Sequence, residues 1–460
     1  MPSGWLPNVS FVDSLSEKIL VFGGGVTGAS VKRFLDSRGA STFLIDENES
    51  VEETTKFEKV KLEEFQLGIV SPGWKLDHPF ISQSKAAGIE LISEIDLAWR
   101  VKSELNPAQV WLGLTGTNGK TTTVQMAEAM LLQSGIRARA CGNVGDPVID
   151  LATETDLDIL VLELSSFQLN WSSEAHFKAS GILNIADDHI DWHGSFNNYA
   201  DAKLSIAKLS ETLIANLDDE NLASRLGQVK SRLVTYTLET PKPHQIGLVE
   251  NLIVDRAFVS GDAEVLFELG DIKPAVPHNV SNAMAAAALA RSVGADATSI
   301  AKAISEFRLD HHRLEVVLEK DGITWIDDSK ATNPHAALAA LKSQLRSVWI
   351  AGGLAKGASM DQLIKEAASR IKFAILIGTD AQLIEDALRR HAPLVEYQVI
   401  DKALKGRELM QEVVKVALHK ALPGESVLLA PACASMDQFK NYGERGDLFA
   451  SAVKELVNGK

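Results

Sequence analysis

The sequence predicts an α/β fold in three domains, and three observations carry that prediction. Short apolar runs alternate with helical patterns along most of the chain. Several of those runs end in glycine-containing turns that feed helices, as βαβ units require. The length, 460 residues, is about three times the ~150 of a single domain. The clearest runs are Lys18–Phe22, Thr42–Ile45, Leu67–Val70, Val110–Leu114 and Ile159–Leu162, then Ile323–Ile326, Ser347–Ala351, Phe373–Ile377 and Ser426–Ala430. They are apolar at successive positions, as strands buried on both faces of a parallel sheet must be. Two segments read as joints: the polar Lys102–Pro107, ending in Asn-Pro, and Phe307–His312, which follows an Ala-rich helix. Between Arg232 and Asp271, short alternating runs and turn residues predict an antiparallel insert.

Taken in order, the first glycine turn is Gly23-Gly-Gly-Val-Thr-Gly28, between a strand and a helix, with Asp46 at the end of the next strand. It matches the dinucleotide fingerprint, in which amides at a helix start face a diphosphate and an acid meets a ribose. Alone it would serve a nicotinamide dinucleotide or any other nucleoside diphosphate. The second, Thr115-Gly-Thr-Asn-Gly-Lys-Thr121, follows Val110–Leu114 and opens a helix through Met126 to Leu132. It is a variant phosphate-binding P-loop, with Leu114 where the usual first glycine stands. Its amides can cradle phosphate, Lys120 can reach the β/γ-phosphates and the Thr121 hydroxyl can ligate Mg²⁺. The third, Gly142-Asn-Val-Gly145, reads equally as a plain loop. The outline is a Rossmann-like N-terminal domain over residues 1–106, a central P-loop ATPase-like domain with a parallel sheet over 107–308, and a C-terminal Rossmann-like domain over 309–460.

Other chemistry-bearing residues cluster at strand ends, where open parallel sheets gather ligands. Glu163 ends Ile159–Leu162 and is placed for Mg²⁺, or else for starting a helix with Ser165 and Ser166 as caps. Asp187, Asp188, His189, Asp191 and His193 crowd one segment without a zinc spacing, which fits oxygen-ligated Mg²⁺ with His189 as an unusual partner. Asp327-Asp-Ser-Lys-Ala-Thr-Asn333 suits phosphate or carboxylate binding. Lys356 and Ser435 end two further strands. Lys203 reads, by composition, as an ordinary helical lysine, and Cys433 as buried rather than nucleophilic.

Composition excludes other classes. The net charge is −15, which argues against a general nucleic-acid binder. Two cysteines make no disulfide framework, no apolar run approaches the ~18 residues of a membrane span, and Met1–Lys18 lacks a signal-peptide pattern.

Thr115–Thr121, Glu163-Leu-Ser-Ser-Phe-Gln-Leu169, Asp188-His-Ile-Asp191, His278-Asn279 to Asn282 and His312-Arg313 together resemble the Mur ligases of peptidoglycan synthesis. Asp328-Ser-Lys-Ala-Thr-Asn333 and Asp437-Gln-Phe-Lys-Asn-Tyr442 resemble the D-glutamate-adding branch. The likeness runs from about Ile19 to Phe449. It implies a monomeric ligase of the bacterial cytoplasm that spends ATP to join D-glutamate to UDP-N-acetylmuramoyl-L-alanine, with no nucleic-acid or membrane partner. By resemblance, Val26, Thr27, Asp46, Ser71, Pro72 and Gly73 would hold the uridine diphosphate. Glu47-Asn48 stands where the family pattern has Thr-Arg. Gly116, Thr117, Asn118, Gly119, Lys120, Thr121 and Thr122 would hold ATP phosphates, with Asn282 on adenine and Arg313, Asp328 and Lys330 also on ATP. Two Mg²⁺ ions would sit on Thr121, Glu163, His189 and Lys203, the last carbamylated. Asn143, Ser165 and Ser166 would face the muramoyl-alanine arm, and Thr332, Lys356, Ser435, Met436 and Tyr442 the D-glutamate. Lys120, His189, Lys203 and Lys356 would be the catalytic set.

Overall fold

Apolar runs of four to seven residues form three separate sheets in the computed structural model, which describes residues 10–48 and 50–459. The first sheet contains β1 (Lys18–Phe22), β2 (Ser41–Ile45), β3 (Leu67–Val70) and β4 (Glu90–Ser93), all parallel, in the order β2-β1-β3-β4. β3 is buried at every position, as its unbroken apolar sequence requires.

The second sheet contains β5 (Val110–Thr115), β6 (Ala138–Gly142), β7 (Ile159–Glu163), β8 (Phe177–Ile182) and β9 (Ser210–Asn216). It continues through β10 (Arg232–Thr237), β11 (Gln245–Val249), β12 (Leu252–Asp255) and β13 (Glu264–Glu268), in the order β13-β12-β11-β10-β9-β8-β5-β7-β6. The antiparallel insert expected over Arg232–Asp271 is corrected in part. β10 pairs parallel with both β9 and β11, and only β11–β12 and β12–β13 are antiparallel. The turn at Pro241–Pro243 returns the chain to the sheet's growing edge in the same direction, whereas that at Ser260–Asp262 does join the antiparallel β12 and β13. β5 lies between β7 and β8, where the strand order reverses, so the turns after these three strands share one end of the sheet.

The third sheet contains β14 (Glu315–Lys320), β15 (Ile323–Asp327), β16 (Ser347–Gly352), β17 (Ile371–Ile377), β18 (Glu396–Val399) and β19 (Ser426–Leu429). Its order is β14-β15-β19-β16-β17-β18, parallel except for β14. β19 pairs with both β15 and β16, which brings the turns after these strands side by side.

The chain divides into two compact units. The first comprises the chain up to Ile185 with Asn197–Ala275 and Asn279–Phe307; the second comprises Ala186–Phe196, Val276–His278 and the chain from Arg308 on. The segment Lys102–Pro107, expected as a loose joint, is folded. The helix Glu94–Leu105 runs into it, Lys102 Nζ donates to Pro107 O (3.2 Å), and Asn106 Nδ2 donates to Glu154 O (3.0 Å). These two polar side chains satisfy main-chain carbonyls, one within the segment and one in the turn before β7. The same helix is tied to that domain by two buried carboxylates. Asp96 accepts from Ser173 N and Ala175 N (3.0 and 3.2 Å), and Glu94 from Ile149 N (2.7 Å). Burial pushes both carboxyls upward, Glu94 to about 7. Among the described residues no helix is long and apolar enough to cross a membrane.

Candidate functional site

β5 ends in the loop Thr115–Gly119, and the helix Lys120–Gln133 starts directly after it with no side-chain cap. Gly119 has φ 85°, and a Cβ there would lie 2.4 Å from Asn282 Oδ1, so the position demands glycine and places Asn282 against the loop. The loop is held from several sides. Thr117 N donates to Asn184 O (3.0 Å), Asn118 N to Asn184 Oδ1 (2.8 Å), and Asn184 Nδ2 to Asn118 O (3.1 Å). The Thr117 hydroxyl bonds Tyr199 Oη (2.9 Å) and Thr115 Oγ1 donates to Leu164 O (2.8 Å). Such a loop is pre-organised for an anion, its shape fixed before any ligand arrives.

Two lysines converge on it. Lys120 Nζ donates to Gly116 O (2.9 Å) and Thr117 O (3.0 Å). Lys203, on the helix Phe196–Leu204, is 2% exposed, and its Nζ donates to the same Gly116 O (2.8 Å) while lying over the Tyr199 ring. Composition gave Lys203 no reason to be buried; the fold delivers it to the phosphate loop.

Glu163 is the last residue of β7 and sits opposite Leu114 in the register, at the root of the loop. It is 2% exposed. Its Oε1 accepts from Asn143 Nδ2 (2.7 Å), and Asn143 N donates to Glu163 O (2.9 Å). Its Oε2 is buried with no hydrogen-bond partner among the described residues. A buried carboxylate oxygen left without a donor is costly, and a hard divalent cation is the kind of group that satisfies it. The Gly142–Gly145 turn is therefore a packed brace for Glu163 rather than a plain loop. Ser165 caps the helix Ser166–Trp171 in a reciprocal box with Gln168, so its cap reading holds, and Ser166 is buried beside it. Thr121 and Thr122 are buried in the first turn of the helix Lys120–Gln133.

In the first sheet, Gly28 packs so closely that a Cβ would fall 1.6 Å from Gly23 O, which is the tight helix-on-strand contact the fingerprint requires. Asp46 is engaged locally: Oδ2 accepts from Gly24 N (2.6 Å) and Oδ1 from Asn48 N (2.8 Å). Val26, at the first position of the helix Val26–Ser37, is 76% exposed, an apolar side chain at the mouth of the turn. Thr27, Ser71 and Pro72 are part-buried, Gly73 is exposed, and Ser71 Oγ donates to Gly23 O (3.3 Å). Glu47 pairs with His78 (3.2 Å).

The remaining expected residues lie in the second unit. His189, with φ 53°, precedes the short helix Ile190–His193 and faces the carboxylate of Asp188, 3.6 Å away. Arg313 is part-buried between His312 and Leu314. Burial pushes the Asp328 carboxyl up to about 7, against the pull of Arg313, and Oδ1 accepts from Leu314 N (3.2 Å). Lys330 Nζ lies over the Tyr442 ring (4.0 Å) and donates to its Oη (2.7 Å), which joins two residues expected on different ligands. Thr332 is part-buried. Lys356 is exposed in the turn after β16 at φ 50°. Ser435 is buried and Met436 is 62% exposed after β19. Cys433 is fully buried, and burial pushes its thiol up to about 12, which removes it as a nucleophile.

Sequence reasoning missed Asn184, Tyr199 and Arg445. Asn184 follows β8 at the same sheet end as the loop, a position that flags it once the strand order is known.

Comparison with known proteins follows the same three-part division. Residues 17–93 match the Mur ligase MurD-like N-terminal domain, 114–290 the Mur ligase middle domain, and 312–433 the Mur ligase glutamate ligase domain. The chain is 44% identical over 464 residues to a UDP-N-acetylmuramoylalanine--D-glutamate ligase of Thermobifida fusca, covering 96% of this chain and 98% of that one. It is 40% identical over 479 residues to a protein of the same name from Mycobacterium tuberculosis, covering 95% and 96%. Among solved structures, a pseudomurein peptide ligase type C from Methanothermus fervidus shares the fold, with a TM-score of 0.63 at 19% identity over 95% of this chain and 99% of that one.

Proposed function

The chain belongs to the Mur ligase family, and from that premise we propose that it is an ATP-dependent ligase adding D-glutamate to UDP-N-acetylmuramoyl-L-alanine, through an acyl phosphate, in peptidoglycan precursor synthesis. The observation that carries this reading is the buried Glu163, with one oxygen braced by Asn143 and the other unpartnered, beside a phosphate loop on which two lysines converge. The dehydrogenase reading of Gly23–Gly28 is set aside, since the family is one of ligases.

A carboxylate acylates poorly because its leaving group would be oxide. Transfer of the γ-phosphoryl group makes that leaving group phosphate. The step brings anions together, so its transition state needs cations and fixed amides. The loop Gly116–Thr122 would hold the triphosphate, with Lys120 leaving its loop carbonyls for the β/γ-phosphates. Mg²⁺, when bound, supplies charge neutralisation and orients the phosphoryl group. Thr121, Glu163 and Lys203 would offer donors for it, as His189 would by the family resemblance, and the unpartnered Glu163 oxygen fits a hard cation. Carbamylation of Lys203 would turn a buried ammonium into an oxygen donor, and its contact with the Gly116 carbonyl places it at the loop. Val26, Thr27, Asp46 and Ser71–Gly73 would take the uridine diphosphate, and Asn143, Ser165 and Ser166 the muramoyl-alanine arm. Asn282 would lie near the nucleotide, as its contact with Gly119 supports. In the second unit, Arg313, Asp328 and Lys330 would serve ATP. Thr332, Lys356, Ser435, Met436 and Tyr442 would bind D-glutamate, Lys356 offsetting its carboxylates and ordering the amine for attack. The chain would act as a monomer in the bacterial cytoplasm, where nucleotide-linked precursors and ATP meet.

The test supplies ATP, Mg²⁺, UDP-N-acetylmuramoyl-L-alanine and a panel of amino acids. ADP and a UDP-linked product heavier by one glutamyl residue should form with D-glutamate. Preference for another amino acid, L-glutamate included, would overturn the specificity, and absence of ADP would overturn the ligase reading.

A further inference from the structure

One buried charge in the second unit has no part in the roles above. Arg445 is fully buried on the helix Tyr442–Leu456, and its guanidinium has no direct carboxylate partner among the described residues. Instead Nε donates to Ser329 Oγ (2.9 Å), Nη2 to Ser329 O (2.8 Å) and Nη1 to Cys433 O (3.1 Å). It therefore bridges the turn after β15 to the turn after β19. Burying an arginine on neutral acceptors is expensive, and an apolar brace would stabilise the fold at least as well.

The start of the same helix reaches that turn through Tyr442 as well. Tyr442 Oη accepts from Lys330 Nζ (2.7 Å), and Tyr442 O accepts from Ser329 Oγ (2.7 Å). Gly446 leaves room for the pair behind them: a Cβ there would lie 2.2 Å from His312 Nδ1 and overlap Asp327. Asp327 in turn accepts from His312 Nδ1 (2.7 Å) and from Ser329 N (2.9 Å). Tyr442 thus holds Lys330 and Ser329, Arg445 holds Ser329 a second time, and Gly446 lets the helix pack against His312 and Asp327. The Cys433 carbonyl held by the other arm of Arg445 lies two residues before Ser435.

We infer that Arg445 is a positioning residue that locks the nucleotide turn Asp328–Lys330 to the amino-acid turn Cys433–Met436, so that the two ligands are held by one rigid body. The inference rests on the ligand roles proposed above for those turns. The guanidinium fork is what permits it, since three donors in one plane reach three acceptors on two segments. A lysine keeps the charge but cannot span both.

Arg445→Lys and Ser329→Ala test it in steady-state assays with all three substrates. In Arg445→Lys, the KM values for ATP and for D-glutamate should each rise about 10-fold, the loss expected from one or two charged hydrogen bonds, while the KM for UDP-N-acetylmuramoyl-L-alanine moves less than about 2-fold. Ser329→Ala, which leaves the guanidinium in place, should move the same two constants in the same direction by about 3-fold. The double variant should be no worse than Arg445→Lys alone, because both changes cut one network. A fall in kcat with all three KM values unchanged would make Arg445 a purely structural residue and overturn the inference. Should Arg445→Lys not fold, unchanged KM values in Ser329→Ala overturn it as well. ADP formation by the wild-type enzyme in the same assay separates this failure from failure of the ligase reading itself.

Discussion

Replacing Glu163 by Gln separates stability from activity. The side chain is 2% exposed, Oε1 is satisfied by Asn143, and Oε2 has no partner. Gln has the same shape, keeps an acceptor for Asn143 Nδ2 and removes a buried negative charge. The Gln amide nitrogen would take the unpartnered Oε2 position, so only the removal of a charge counts, and the variant should be at least as stable as the wild type without ligands. Activity should move the other way. A cation-binding carboxylate contributes several kcal/mol of transition-state charge stabilisation, and each ~1.4 kcal/mol is a factor of ten, so kcat should fall at least about 100-fold. Urea unfolding without ligands gives the first quantity, and phosphate release over a Mg²⁺ series gives the second. A destabilised variant, or one with near-normal kcat at ordinary Mg²⁺, would refute the reasoning that the carboxylate is kept for a cation.

Three further outcomes follow from the structure. Glu94 is 3% exposed, with its carboxyl raised from 4.5 to about 7, so the folded chain holds a proton that the unfolded chain releases, and stability falls as pH rises from 4.5 to 7 and then levels. In Glu94→Gln the stability advantage over wild type should therefore grow by about 3 kcal/mol between pH 4.5 and pH 8, as denaturant titrations at each pH would read; a constant difference would contradict it. Asn184→Ala removes both bonds to Asn118 and should raise the KM for ATP about 10-fold with the other KM values unchanged, a split measured in steady state. Lys120→Ala should abolish ATP-dependent ligation while circular dichroism and melting stay those of the wild type; full activity would remove the loop from the mechanism.

Much of the fold was readable because parallel strands covered on both faces leave uninterrupted apolar runs, as at Leu67–Val70 and Ser426–Leu429. The phosphate loop was equally plain, since its glycines, lysine and threonine answer to local geometry. What the sequence hid depends on partners far along the chain. β10 joins the sheet parallel because β9, itself unrecognised, offers it an edge, whereas local turn residues pointed to hairpins. Lys203 looks like any helical lysine until the fold carries it 87 residues back to Gly116. Arg445 carries no motif, and its partners Ser329 and Cys433 are 116 and 12 residues away. Asn106 read as a linker residue, yet its amide bonds a carbonyl of the 151–157 turn, as does that of the nearby Gln109.

Ligation by this route requires activation of the sugar-linked carboxylate by phosphoryl transfer. The direct measurement uses UDP-N-acetylmuramoyl-L-alanine with both carboxylate oxygens replaced by heavy oxygen, together with ATP, Mg²⁺ and D-glutamate. Mass analysis of the released phosphate should find one heavy oxygen per phosphate, left there when the amine expels phosphate from the acyl carbon. Phosphate free of the label, formed alongside the ligated product, would show that the carboxylate never carried the phosphoryl group.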